Sequence, residues 1–291
     1  MTDIDDPIFR GERFFDWDAE KTPEEIAAES PIGAIVGDVI GSRYEWHNVK
    51  TKDFPLFGAG CRPTDDTVMT LAIGDALLEH QRTGGNLERL AVEKMQEWGR
   101  RHPNAGYGGA FRRWLASDHP EPYNSWGNGA AMRVSMCGWR AMTLDEAQAF
   151  SDAVTRVTHN HPEGLAGARV TAGCVYLARI CDTKDEIREY VESTYRKMDF
   201  TLNEIRPSYR FDVSCQGSVP QALAAFFEAS DFEDAIRNAI SIGGDSDTIG
   251  AITGAVAGAF WGVPVDIRRQ TEALLSNDMK ATIAASEKAW R

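Results

Sequence analysis

The chain has 291 residues, with 31 Lys and Arg against 44 Asp and Glu, for a formal net charge of −13. A 43% apolar share with 26% charged residues is enough for a substantial buried core and excludes wholesale disorder. The acidic balance excludes wrapping nucleic acid, which needs a basic surface to displace counterions from phosphates.

Residues 1–30 hold ten acids against Arg10, Arg13 and Lys21, together with Phe9, Phe14, Phe15 and Trp17. They lack the positive-then-apolar pattern of a signal peptide. The stretch reads as an N-terminal extension distinct from a domain over 31–291. It serves either as an arm packed back on that domain or as a partner-binding arm with aromatic anchors and an acidic rim.

The periodicity then predicts helix after helix. Ile32–Trp46 carries Gly33, Gly37 and Gly41 four apart, a smooth stripe for close approach of another backbone. Thr64–His80 has a core-facing stripe of Val68, Leu71, Ala72, Ala76 and Leu77. Further helices are predicted over Leu87–Arg100, Ala130–Arg140, Leu144–Val157, Gly164–Ile180, Lys184–Tyr195, Val219–Glu228 and Asp231–Ile242. Ser246–Phe260 repeats the glycine stripe at Gly250, Gly254 and Gly258, and Asp266–Leu275 follows. Arg210–Ser214 is the nearest thing to a strand, and Ile249–Val265 is too short and too rich in glycine for a membrane span. The fold class is all-α in one domain. Trp98, Trp114 and Trp139 read as core, and Arg100, Arg101, Arg112 and Arg113 as solvated helix faces. Cys61, Cys137, Cys174, Cys181 and Cys215 are odd in number with no C-x-x-C pair, which predicts reduced thiols in a cytoplasmic protein.

Three polar clusters stand out. Asp38 is followed seven residues later by Glu45, on roughly the same face if one helix carries both. Thr64-Asp65-Asp66-Thr67 and Asp245-Ser246-Asp247-Thr248 each open an apolar helix. One such residue suffices to cap a helix. The additional carboxylates repel one another and call for a cation. Carboxylates and threonine hydroxyls without His or Cys suit magnesium, manganese or calcium.

These stretches resemble the ADP-ribosylglycohydrolase family. The resemblance rests on GAIVGDVIGSRYE over 33–45, TDDT over 64–67, WGNGAAMR over 126–133, Thr158-His159 and GGDSDT over 243–248, in the family's order. It implies a single orthogonal helical bundle with a central dinuclear magnesium site, Mn²⁺ being an acceptable substitute. Thr64, Asp65, Asp66, Asp245, Asp247 and Thr248 match the metal ligands. Glu45 matches a mobile glutamate that approaches metals and substrate. Ser125, Trp126, Gly127, Asn128 and Gly129 match the loop that holds the pyrophosphate and distal ribose, with Trp126 in place of the more usual tyrosine. His159 matches a substrate-lining histidine, whereas His161 has no counterpart and reads as a surface or helix-capping residue. The segment CQGSVP over 215–220 resembles another part of the pocket.

The implied reaction is hydrolysis of the glycosidic bond between ADP-ribose and a modified arginine or serine, which reverses mono-ADP-ribosylation. Glu45, Asp65 and Asp66 are the catalytic candidates, with the general base either Glu45 or Asp66. The implied partner is an ADP-ribosylated protein. An ADP-ribosyltransferase toxin held through residues 1–30 would make the chain an immunity protein; no membrane or nucleic acid is expected. Two alternatives stay open: hydrolysis of a small ADP-ribose derivative, and a non-enzymatic binder on the same fold. Retention of so many repelling carboxylates speaks against the binder.

Overall fold

A computed structural model describes residues 30–290; the acidic extension, apart from Ser30, lies outside the described residues. The helices are α1 (Gly33–Gly41), α2 (Asp65–Thr83), α3 (Leu87–Arg101), α4 (Gly109–Leu115), α5 (Ser135–Arg140), α6 (Leu144–Arg156), α7 (Pro162–Ile180), α8 (Lys184–Thr194) and α9 (Leu202–Ile205). They continue with α10 (Cys215–Phe227), α11 (Phe232–Ser241), α12 (Ser246–Trp261), α13 (Val265–Glu272) and α14 (Asn277–Ala289). Among the described residues the only β pairing is an isolated antiparallel bridge between Gly127 and Ser214, so Arg210–Ser214 forms no strand of its own. No helix of the described residues is long and apolar enough to cross a membrane.

The centre of the molecule is α12, packed against α1 and surrounded by α7, α10 and α11. The two glycine stripes meet there. A β-carbon on Gly33 would lie 2.2 Å from the Gly254 carbonyl oxygen, and one on Gly41 would lie 2.3 Å from that of Ser246. Any side chain at these positions would force the helices apart. Trp98, Trp114 and Trp139 are buried as expected, the first two with their indole N–H groups on Asp75 and the Val157 carbonyl. Arg100, Arg101, Arg112 and Arg113 are exposed, and all five cysteines are buried and outside any disulfide.

Two predicted helices are shorter than the periodicity suggests. The first ends at Gly41, where it lands on the start of α12, and the chain turns so that Tyr44 can bury its ring against Phe54. Glu45 therefore leaves the helix, and it does not share a helix face with Asp38. The stretch 130–140 is split into a 3-10 turn (Asn128–Ala130) and α5, because the Asn128 side chain is tied to Ser218 and Asp245 across the molecule. The periodic reading passed over α4, α9 and α14. The latter presents Met279 and Ile283 to the core at helical spacing and packs on α2.

Candidate active site

The two acidic helix starts converge on one cleft of about 470 Å³. Asp65, Asp66, Asp245, Asp247 and Thr248 line it, joined by Glu45 from the turn after α1. On the other wall stand Ser125, Gly127, Asn128, Gly129 and His159. Six positions between 45 and 248 in the sequence thus bring their carboxylates or hydroxyls to one place.

Local structure explains how. Thr64 caps α2, its hydroxyl oxygen accepting the Asp66 N–H at 3.3 Å. Its own N–H and hydroxyl donate to the Asp38 carboxylate at 2.9 and 2.7 Å. Thr67 donates its N–H to the same carboxylate at 3.0 Å, and its hydroxyl as well. Asp38, fully buried on α1, thereby docks the start of α2 onto the central helix pair. Its Oδ2 takes three of these donors and its Oδ1 the fourth, which makes it an anchor for Thr64 and Thr67.

Asp245 stands at the N-cap position of α12 without making a capping hydrogen bond. Its carboxylate is instead turned to Asn128, whose side-chain N–H₂ donates to Oδ2 at 2.7 Å and to the Ser218 hydroxyl at 3.0 Å. Gly243 and Gly244 precede it with φ of 68° and 80°, a left-handed backbone that favours glycine. Asn48 clamps that turn, accepting the Gly244 N–H at 2.7 Å and donating to the Gly244 carbonyl at 2.9 Å. The turn after α1 that carries Glu45 is thus fastened to the start of α12.

Carboxylate oxygens of Asp38, Asp66 and Asp247 lie within 4.8 Å of one another, and so do those of Glu45, Asp245 and Asp247. Asp247 belongs to both groups. Asp65 belongs to neither and faces Gly106 across the cleft. Crowding shows in the acidities. Burial first and the Asp247 charge second push Glu45 up to about 8 and Asp65 up to about 7. The same two causes raise Asp38 to about 6 and lift Asp66 and Asp245 well above the usual carboxylate range. Asp66 Oδ1 is buried with no hydrogen-bond donor. An orphaned carboxylate oxygen inside an all-oxygen acidic group is what a hard divalent cation would satisfy. The residues present fit such an ion. Asp66 and Asp247 would hold one such ion, and Glu45, Asp245 and Asp247 another, with Thr248 also on the cleft wall.

Not every expected residue faces the cleft. Trp126 is half exposed and packs on His161, its ring 5.3 Å away, and is not among the cleft-lining residues. His161 caps α7, its Nδ1 accepting the Glu163 N–H at 3.1 Å. Thr64 is buried behind the lining. The segment over 215–220 braces the glycine loop: the Cys215 N–H donates to the Trp126 carbonyl at 2.9 Å and its thiol to that of Gly127 at 3.2 Å. Sequence reasoning missed the aromatic mouth. Trp46 and Phe211 are stacked 5.3 Å apart at 20° and both line the cleft, at 73% and 43% exposure. Trp46 directly follows Glu45, but nothing in the sequence pairs it with a residue so far along the chain.

An all-helical bundle whose two central helices touch through glycine and turn their acidic ends into one cleft defines the class of fold. The chain belongs to the ADP-ribosylglycohydrolase family, whose sequence profile matches residues 19–288. It is similar to the ADP-ribosylarginine hydrolase Tri1 of Serratia proteamaculans, 26% identical over 268 residues that cover 79% of this chain and 70% of that protein. The mouse ADP-ribosylhydrolase ARH3 is 27% identical over 329 residues, covering 86% and 88% of the two chains. The ADP-ribosyl-[dinitrogen reductase] glycohydrolase of Rhodospirillum rubrum is 26% identical over 295 residues, covering 84% and 94%. Among solved structures, an ADP-ribosylglycohydrolase-related protein complex shares the fold with a TM-score of 0.65 at 23% identity, covering 92% of this chain and 99% of that one.

Proposed function

We propose that the protein is a Mg²⁺-dependent hydrolase that releases ADP-ribose from a modified protein side chain, arginine or serine. The observation that carries this reading is the shared position of Asp247 between two carboxylate groups, beside an Asp66 oxygen that has no donor. Asp66, Asp245, Asp247 and Glu45 would hold two divalent ions, which would remove the repulsion and would supply positive charge to stabilise the breaking glycosidic bond. Names of relatives that act on ADP-ribosylarginine or on ADP-ribosyl-dinitrogen reductase point to the same chemistry.

The chain's own groups divide the remaining work. Glycines 127 and 129 leave the cleft wall free of side chains, so that backbone can approach a phosphate closely. Glu45 is half-buried at the rim, whereas Asp66 is 3% exposed and sits deep in the cleft. Glu45 is therefore the carboxylate placed to take a proton from an attacking water or to give one to the leaving group. Burial and the Asp247 charge push its pKa up to about 8, which suits the role of proton donor to the leaving group.

The test is release of free ADP-ribose from arginine- and serine-linked substrates with Mg²⁺, followed by chromatography, with Asp66→Ala and Asp247→Ala as controls. Release from one substrate that both controls lose establishes the activity and its acceptor. No release, with Mg²⁺ and ADP-ribose still bound in calorimetry, turns the reading to a small ribosylated substrate. No binding of either refutes it.

A further inference from the structure

Arg133 is 1% exposed, lines the cleft, and has no carboxylate partner among the described residues. It lies over the Phe111 ring at 5.7 Å, and one guanidinium nitrogen donates to the Thr158 hydroxyl oxygen at 2.6 Å. That hydroxyl in turn lies 2.7 Å from His159 Nδ1 and 3.3 Å from the Thr155 carbonyl. The other ring nitrogen, Nε2, faces the glycine loop: a β-carbon at Gly127 or at Gly129 would lie 3.5 Å from it.

The order of donors decides which ring nitrogen of His159 carries the proton. The Thr158 oxygen already accepts from a buried cation, so its single proton is free to be given away, and Nδ1 is the nearer acceptor. The alternative would aim an Nδ1–H dipole at the guanidinium and leave the hydroxyl proton on the longer bond to Thr155. Both features are unfavourable beside a buried guanidinium. The ring itself is uncharged, since burial and then Arg133 hold its pKa well below the usual histidine value. Tyr123, 5.7 Å away, is the other titratable ring against it.

We infer that Arg133 and Thr158 are positioning residues that lock His159 in the neutral tautomer with its proton on Nε2, so that the ring presents a fixed N–H donor to an acceptor oxygen of the ligand in the cleft. This identity of the ligand rests on the proposed function, because the phosphates of ADP-ribose accept hydrogen bonds and cannot donate. An acceptor at Nε2 would repel them. The glycines at 127 and 129 leave open the space into which this donor points.

The experiment is nitrogen-15 NMR of the ring nitrogens of the labelled full chain at neutral pH, with ADP-ribose calorimetry alongside. Wild type is expected to show protonated Nε2 and bare Nδ1. Thr158→Ser should keep that pattern and the affinity. Thr158→Val should give mixed tautomers and about tenfold weaker ADP-ribose binding, one charge-assisted hydrogen bond being at stake. A wild-type spectrum with the proton on Nδ1, or a Thr158→Val protein unchanged in both spectrum and affinity, overturns the inference. The wild-type spectrum decides the tautomer even if Thr158→Val does not fold. Absence of ADP-ribose binding in wild type, with the Nε2–H pattern intact, would refute the proposed function and leave the lock standing.

Discussion

Gly37 and Gly250 approach so closely that a β-carbon on Gly37 would lie 1.9 Å from the Gly250 carbonyl oxygen. That contact fixes the separation of α1 and α12, and with it the distance between Asp38, one residue beyond Gly37, and Asp247 near the start of α12. The packing of two apolar helices and the geometry of an acidic site are in this way one feature.

Gly37→Ala is expected to destabilise the protein by about 3 kcal/mol or more, since the obstacle is backbone that cannot rotate away. Gly108→Ala, with open space around it and an ordinary φ of −58°, should stay within about 0.5 kcal/mol of wild type. Urea denaturation of the two variants checks the contrast.

Asp247→Asn removes a charge that raises the pKa values of Glu45, Asp65, Asp66 and Asp245. In the absence of divalent ions it is expected to be about 1–2 kcal/mol more stable than wild type, and to lose hydrolysis. Thermal unfolding in chelator, paired with the ADP-ribose release assay, would expose a failure of either half.

Metal-free protein should lose stability as pH rises. A carboxyl with a raised folded-state pKa binds its proton more tightly folded than unfolded, so its stabilisation is complete below the unfolded value and lost as pH climbs through the folded one. The folded values are about 6 for Asp38, about 7 for Asp65 and about 8 for Glu45, against ordinary values of 3.8, 3.8 and 4.5. Stability in chelator should therefore fall between about pH 4 and about pH 8, and saturating Mg²⁺ should flatten the slope. A flat profile in chelator would contradict the reading of the acidic group.

Asn128→Ala deprives Asp245 of the amide donor on its Oδ2 and leaves the Ser218 hydroxyl short of a partner. Divalent-ion affinity is expected to fall about tenfold, with a stability loss of about 1–3 kcal/mol. Mg²⁺ titration by calorimetry reads the first, and urea denaturation the second.

The all-helical class, the two glycine stripes and the acidic helix starts were legible in the sequence, because helical period, glycine spacing and charge are local properties. That repelling carboxylates ask for a cation was legible too, from their chemistry alone. Where Glu45 would stand was not. Its position depends on α1 stopping where Gly41 meets α12, a contact between residues about 200 positions apart. The partners of Asp38, the turning of Asp245 towards Asn128, the outward placement of Trp126 and the Trp46–Phe211 pair are equally matters of tertiary structure. Each is settled by which distant helix supplies the neighbouring atom, and a one-dimensional pattern does not contain that information. The sequence by itself determined which groups could do chemistry; the packing of α1 on α12 decided which of them meet.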